Sequence, residues 1–359
     1  MQLLIWVLMN VLKKFPIRVL SSLFFFLISF ILFAQEKTES HELNILFYNT
    51  ENFFDTKDDP LTLDDEFLPG GSRFWSQKRF RLKLNHTAKT ILASCGFHIP
   101  AIVGLCEVEN RHVLEALVRE TALANRHYRI IHKDSPDERG IDVALIYRPA
   151  EVKPLQYHYY PLKDDQGEIL KTREILYACF LTPTGDTLHL FFNHWPSRYG
   201  GQAETEPLRM LAARTLRIYV DRILNAGKNP AIVIMGDFND QPQSKSLKNG
   251  LRTKGIESPE PGGEMINLSE QWPPQGTLKY KQNWQIFDQV IVSGFLLKGD
   301  HIRVYPGDAR VVDLEFLLEQ DPKYMGKRLF RTYLGYKYHG GFSDHLPVQL
   351  KLTPVRASF

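Results

Sequence analysis

Cysteine is nearly missing from this chain: there are 3, Cys95, Cys106 and Cys179, each set among apolar neighbours. So small and odd a set speaks against a disulfide framework or a zinc site and predicts buried, unpaired thiols. Acidic residues are absent from Gly70 to Cys106, where Arg73, Lys78, Arg79, Arg81, Lys83 and Lys89 have no counterweight. Net charge is scarce as well, formally +3, so the molecule as a whole says little about its partners. No internal repeat is visible, which sets aside repeat architectures. An EF-hand at Asp237-Phe238-Asn239-Asp240 is excluded, because Pro242 intrudes and the loop glycine and closing glutamate are missing.

The 359 residues, 43% hydrophobic and 12% aromatic, can build a sizeable core. One domain is expected, because the candidate site residues are scattered from the first strand to the last. Lys13, Lys14 and Arg18 precede an apolar stretch from Val19 to Ala34, and polarity changes abruptly at Gln35. That stretch is short for a membrane span and ends in a small residue suited to signal peptidase. Residues 1–34 are read as an export signal and 35–359 as the one folded domain, with an uncleaved anchor as the competing reading. The mature protein is expected in the periplasm or outside the cell, with no stable membrane span after cleavage. A second basic run lies near the end of the chain, where Lys323, Lys327, Arg328, Arg331 and Lys337 alternate with Tyr324, Phe330, Tyr333, Tyr336 and Tyr338. Cations interleaved with aromatics suit a phosphate backbone carrying stackable bases. A helix with a solvated basic face and an exposed hairpin account for the two runs equally well.

Apolar patterning predicts strands at Leu43–Asn49, Ile99–Leu105, Tyr128–His132, Asp142–Tyr147, Leu176–Leu181, Leu188–Asn193, Ala231–Met235, Ile286–Val292 and Val348–Leu352. Helical spacing marks Phe80–Cys95, Val113–Val118 and Leu208–Ile223. Helices mixed with hairpin-linked strands favour an α+β sandwich of two sheets with helices outside over a doubly wound parallel sheet. Pro161–Arg173 and Ser258–Trp272, rich in charge, proline and glycine, read as surface loops or lids.

The chemistry gathers where apolar strands run out. Asn49 and Glu51 follow one strand, and two-residue alternation puts them on one face, where a hard cation can find oxygen ligands. Glu107 ends a second apolar run, and a carboxylate there is costly unless paired or bound to metal. Arg139 and Asp142 flank a strand mouth, where Arg139 is either a phosphate-orienting guanidinium or half of an Arg–Asp surface pair. His194, with Ser197 and Arg198 nearby, follows a third strand and can serve a leaving oxygen or a phosphate. Gly236 allows a sharp turn after Met235, with Asp237 and Asn239 sharing a face. Asp288 falls inside an apolar strand where an unpaired carboxylate should not survive, and His345 is its natural partner.

Asn49 with Glu51, Glu107, His194, Asp237 with Asn239, Asp288 and Ser343-Asp344-His345 occur in an order and spacing that resembles the endonuclease/exonuclease/phosphatase superfamily over essentially all the chain after the signal, closest to its secreted bacterial nuclease-like members. The resemblance implies a four-layer α/β/β/α sandwich of two mixed, mainly antiparallel sheets, with Mg2+ (or Mn2+) where the sheets' loops meet. It makes Glu107 the main metal ligand, assisted by Glu51, Asn49 and Asp344. It gives Asp237 the attacking water, Asn239 a phosphate oxygen, and His345, oriented by Asp288, the scissile phosphate together with His194, the latter better placed for the leaving group. Arg139 and Arg198 match only the secreted subgroup, as contacts to substrate phosphate. Glu51 stands where many relatives have Asp, so its carboxylate reaches further. Nucleic acid, DNA or RNA, is the expected substrate; inositol phosphates or sphingomyelin are the alternative, and a non-catalytic binding protein a third class.

Overall fold

The computed structural model describes residues 42–227, 229–257 and 263–355. Residues 1–34, read as an export signal, lie outside the described residues.

Two large sheets form the body. The first runs β14 (Ile302–Arg303), β20 (Val348–Pro354), β1 (Leu43–Phe53), β2 (Ile102–Val108), β4 (Asp142–Tyr147) and β3 (Arg129–Ile131), with β15 (Ala309–Val311) also on β20. The second runs β5 (Lys153–Tyr160), β6 (Ile175–Leu181), β7 (Thr187–His194), β8 (Ala231–Asp237), β13 (Asp288–Ser293), β10 (Met265–Asn267) and β9 (Thr253–Lys254). β1 is parallel to β2, β7 to β8 and β9 to β10, and the other pairings within the two sheets are antiparallel.

Four layers follow from where the apolar faces point. Helices α1 (Gln77–Ala93) and α2 (Arg111–Arg119) cover the first sheet, setting Phe80, Leu84, Val113 and Leu117 against Leu46, Tyr48, Val103 and Leu105. Asn110 caps α2, its Oδ1 accepting the Val113 N–H at 3.0 Å. Helix α3 (Gln202–Ala226) covers the second sheet, with Ala212, Leu216 and Val220 on Phe191, Ile232 and Ile234. Between the sheets Ile45, Phe47, Val143 and Leu145 meet Leu176, Phe180, Phe192 and Met235. At Gly104 the sheets leave no room for a side chain, since an added Cβ would sit 2.2 Å from the Phe192 ring. The α+β sandwich expected from the sequence is the fold observed. Cys95, Cys106 and Cys179 are free and buried. No helix among the described residues is long and apolar enough to cross a membrane.

Several expectations are corrected. Met265–Asn267, inside the segment read as a loop or lid, is a buried strand paired with β13, because the glycine and proline that signalled a loop flank it without entering it. β5 lies outside the strands that apolar patterning predicts. It is a largely exposed edge strand, and Pro154 is tolerated at such a place. Lys83, counted in a solvated basic run, is buried. Three small hairpins stand apart from the sheets: β11 (Leu278–Tyr280) with β12 (Asn283–Gln285), β16 (Leu318–Gln320) with β17 (Lys327–Leu329), and β18 (Tyr333–Leu334) with β19 (Lys337–Tyr338).

Candidate active site

Strand register collects the site. Parallel pairing of β7 with β8 sets His194 opposite Asp237, and antiparallel pairing of β13 with β8 sets Asp288 opposite the same residue. On the other sheet Asn49 pairs with Cys106, one residue before Glu107. Both strands are irregular here: the β1–β2 register shifts between Asn49 and Phe53, and the β2–β4 register between Cys106 and Val108. Glu51, Asn52, Glu107 and Asn239 all have positive φ, from 50° to 59°. Such backbone is costly for a side-chain-bearing residue and turns these groups out of simple alternation. The two-residue alternation expected for Asn49 and Glu51 is therefore broken. Asn49 faces Glu107 and Asp237, whereas the Glu51 carboxylate turns to the Thr332 N–H at 2.7 Å.

Asp237 is the hub. Its Oδ2 accepts from Asn49 Nδ2 at 3.1 Å and lies 3.8 Å from the Nε2 of both His194 and His345, while its Oδ1 accepts the Asn239 N–H at 2.9 Å. Burial pushes its carboxyl up to about 7; Asp288 and Glu107 add to the rise and His345 opposes it. His345 Nδ1 lies 2.6 Å from Asp288 Oδ2. Burial alone would lower the His345 pKa, yet Asp288 and Asp237 hold it well above the ordinary histidine value. His194 meets carboxylates only at 3.8 Å, from Asp237 and Glu107, and burial, then Arg173 and Arg139, keep its pKa well below the usual range. Its Nδ1 is buried without a hydrogen-bond partner among the described residues, as is Asp288 Oδ1. Asn239 donates from Nδ2 to the Trp195 carbonyl at 3.0 Å, which leaves it one further amide hydrogen.

Glu107 stands between this group and a second one. Its Oε1 is 3.8 Å from His194 Nε2 and 3.4 Å from Asn49 Nδ2, and its Oε2 accepts the Asn52 N–H at 2.8 Å. Beyond it, Arg331 lies 2.6 Å from Asp344 Oδ2 and 3.5 Å from Glu51 Oε1. Lys83 Nζ donates to Thr332 Oγ1 and to the Phe342 carbonyl, both at 2.6 Å. Burial and Asp344 push the Glu51 carboxyl up to about 7, against Lys83 and Arg331. Burial lowers the Lys83 amine to about 8, against Glu51 and Asp344. In the sequence Lys83 and Arg331 stand only as members of basic runs. Lys83 falls at helical spacing with Phe80, Leu84 and Thr87, a signal that could have marked it as inward-facing.

The two expected arginines differ in setting. Arg139 is half-exposed and 3.7 Å from Asp137; Asp142, the partner weighed for it, instead meets His132 Nε2 at 2.8 Å and the Ser135 N–H at 2.8 Å. Arg198 gives Nε to the Asn239 carbonyl at 2.7 Å, one guanidinium nitrogen to Asp240 at 2.8 Å and the other to Gln202 at 2.9 Å, so it braces the Asn239 turn from behind. Arg173, not foreseen, joins Asp137 to the Trp195 carbonyl, each at 2.8 Å.

The donor set suits a hard divalent cation. Glu107 lies against Asn49, and Asp237 and Asp288 bring two further carboxylates beside His345. Asp237, Asp288 and His345 themselves each offer a ligand atom within 4.8 Å of the others.

A fold of two stacked sheets whose strand ends hold this carboxylate, amide and imidazole cluster defines a class of phosphoric ester hydrolases. The chain belongs to the Endonuclease/Exonuclease/phosphatase family, whose model matches residues 44–354. No curated protein sequence matches it. Among solved structures it is similar to an endonuclease/exonuclease/phosphatase family protein from Bacteroides thetaiotaomicron, with 15% identity, TM-score 0.55 and coverage of 89% of this chain and 100% of that one. It is similar to the mannosyl-6-phosphatase of the same organism, with 16% identity, TM-score 0.54 and coverage of 87% and 99%. It is also similar to D. rerio TDP2 complexed with single strand DNA product, with 16% identity, TM-score 0.50 and coverage of 87% and 99%.

Proposed function

We propose that the protein is an exported, divalent-metal-dependent phosphodiesterase that cleaves nucleic acid by in-line attack of water. The observation that carries the hydrolytic part is the convergence of Asp237, His345, His194 and Glu107 at the ends of strands from both sheets. A phosphodiester is an anion, so the site must offset its nonbridging oxygens, aim the water and stabilise the departing oxygen. A cation held by Glu107, with Asn49 and the Glu51–Asp344 group nearby, would supply Lewis-acid polarisation of a phosphoryl oxygen. Asp237 takes the proton of the attacking water, its Oδ1 kept in place by the Asn239 N–H. Asn239 offers its remaining amide hydrogen to a phosphate oxygen. His345, charged and held by Asp288, offsets the negative phosphate; the charge states favour it over the neutral His194 as proton donor to the leaving oxygen. His194 then hydrogen-bonds the phosphate, with half-exposed Arg139 as a further contact.

Support for a nucleic-acid substrate comes from the two basic runs, which meet in the fold. Arg73 sits over the Tyr333 and Tyr336 rings, Arg79 over Tyr338, and Arg73 donates to the Gly335 carbonyl at 3.1 Å. The wall they form adjoins Glu51 through Thr332. Of the apolar segments that a lipid-directed enzyme would present, Leu296 is buried and Trp272 and Leu297 are half-buried against the core, with Trp272 Nε1 donating to the Ala309 carbonyl, while Pro273 and Pro274 are exposed. The likeness to a mannosyl-6-phosphatase supports a second reading, hydrolysis of a phosphomonoester. An EDTA-controlled activity panel over plasmid, single-stranded DNA, RNA, sphingomyelin, inositol phosphates and a sugar phosphate tests the proposal. Metal-dependent cleavage of a polynucleotide is expected, and turnover of sphingomyelin or the monoesters alone would overturn it.

A further inference from the structure

Beside the catalytic centre lies a small basic pocket of about 160 Å3 that shares two of its walls, Arg331 and Asp344, with the centre itself. Its rim is built on catalytic backbone. Leu278, at the start of β11, bridges to His345, the Leu346 N–H donates to the Thr277 carbonyl at 2.7 Å, and Thr277 Oγ1 accepts the Asp288 N–H at 3.0 Å. The hairpin that carries Lys281 is thus anchored to both members of the Asp288–His345 pair. The opposite rim is the turn after β16, where Asp321 Oδ1 accepts the N–H groups of Lys323 and Tyr324, each at 3.0 Å. A buried ion pair, Lys279 to Asp321 at 2.8 Å, locks the two rims together.

The cations of this pocket fall into two kinds. Lys279, Arg328 and Arg331 are matched by Asp321, Glu319 and Asp344. Lys281 and Lys323 have no carboxylate partner among the described residues and lie only near the Tyr280 and Tyr324 rings. Two exposed, uncompensated ammonium groups on a braced rim, next to a site for one phosphate, make a pocket whose natural occupant is another anion. Resting on the phosphodiesterase reading above, we propose that Lys281, Lys323 and Arg331 form a subsite for a second phosphate group of the substrate, beside the one that is cleaved. A substrate with a single phosphate leaves this subsite empty. A polynucleotide or a small polyphosphate fills it, with Tyr280 and Tyr324 offering faces to a neighbouring base.

The test uses the full chain carrying Lys281→Glu and Lys323→Glu together, against a control with Lys153→Glu and Lys163→Glu, which changes total charge equally on another part of the surface. Melting curves confirm that both fold. The readout is kcat/KM for a single-stranded oligonucleotide and for inositol hexakisphosphate, each relative to bis(p-nitrophenyl) phosphate. The pocket variant is expected to lower the oligonucleotide ratio about tenfold or more through KM, with the control within about twofold. Loss confined to inositol hexakisphosphate would keep the subsite and identify its phosphate as that of a small molecule. Unchanged ratios for both substrates, or an equal fall in the control, would overturn the subsite. Oligonucleotide binding in EDTA is read in parallel: the slope of log K against log salt should fall by about 1.4, two contacts at about 0.7 each. That arm decides the subsite even if bis(p-nitrophenyl) phosphate is not hydrolysed by the parent enzyme, an outcome that would sink the phosphodiesterase reading alone.

Discussion

His345 Nδ1 and Asp288 Oδ2, 57 residues apart in the chain, meet at 2.6 Å inside the fold and join the second sheet to the loop before β20. The pair keeps the imidazole charged against the effect of burial. Asp288→Asn removes the charge and keeps the shape. It is expected to lower turnover by about 10²-fold and to move the alkaline limb of the pH–rate profile to lower pH, as His345 loses its proton more easily. A profile that keeps its alkaline limb in this variant would show that His345 does not depend on Asp288.

The pH dependence of stability follows from Asp237 and Glu51, both pushed up to about 7 from ordinary values of 3.8 and 4.5. The folded state holds protons that the unfolded chain releases. Their contribution to stability is fully present below about pH 4 and is lost as pH rises through about 7. In EDTA the melting temperature should therefore fall between pH 5 and pH 8 on account of these groups. Millimolar Mg2+ or Mn2+ should raise it more at pH 8, where the ligands are deprotonated. Differential scanning fluorimetry decides this, and an equal metal effect at both pH values contradicts it.

Lys83 ties α1 to the segments that carry Thr332 and Phe342. Lys83→Met retains the length of the side chain but leaves two buried acceptors without their donor. The expected cost is about 1–3 kcal/mol in urea unfolding. Stability unchanged within about 0.5 kcal/mol would mean that the amine is not buried in solution.

Sheet stacking has its own probe. Gly104→Ala places a methyl group against the Phe192 ring, and over-packing of this kind costs about 1–3 kcal/mol. A variant as stable as the parent would show that the sheets are further apart than described.

The sequence revealed most of the layers because a strand buried on both faces and an amphipathic helix leave opposite signatures. β4 spans Asp142–Tyr147 as expected, and α1 covers nearly the segment that helical spacing marked. Strand ends were legible for the same reason: Glu107, His194 and Asp237 each stop an apolar run. The bulges at Glu51 and Glu107 were not, since a register shift is set by pairing with a neighbouring strand and leaves no local signature. The buried Lys83 and Arg173 and the half-buried Arg331 leave no local signature because they find their partners only across the fold. The short strand Met265–Asn267 was hidden by the glycine and proline around it.

The central claim is that one pocket hydrolyses phosphodiesters with Asp237 acting on the attacking water. The most direct measurement is steady-state hydrolysis of bis(p-nitrophenyl) phosphate in Mg2+ or Mn2+ by the parent chain, Asp237→Asn and His345→Ala, each verified as folded by its melting curve. Metal-dependent turnover is expected that EDTA abolishes and that each substitution lowers by about 10²–10⁴-fold. Turnover by Asp237→Asn within a few-fold of the parent would contradict it.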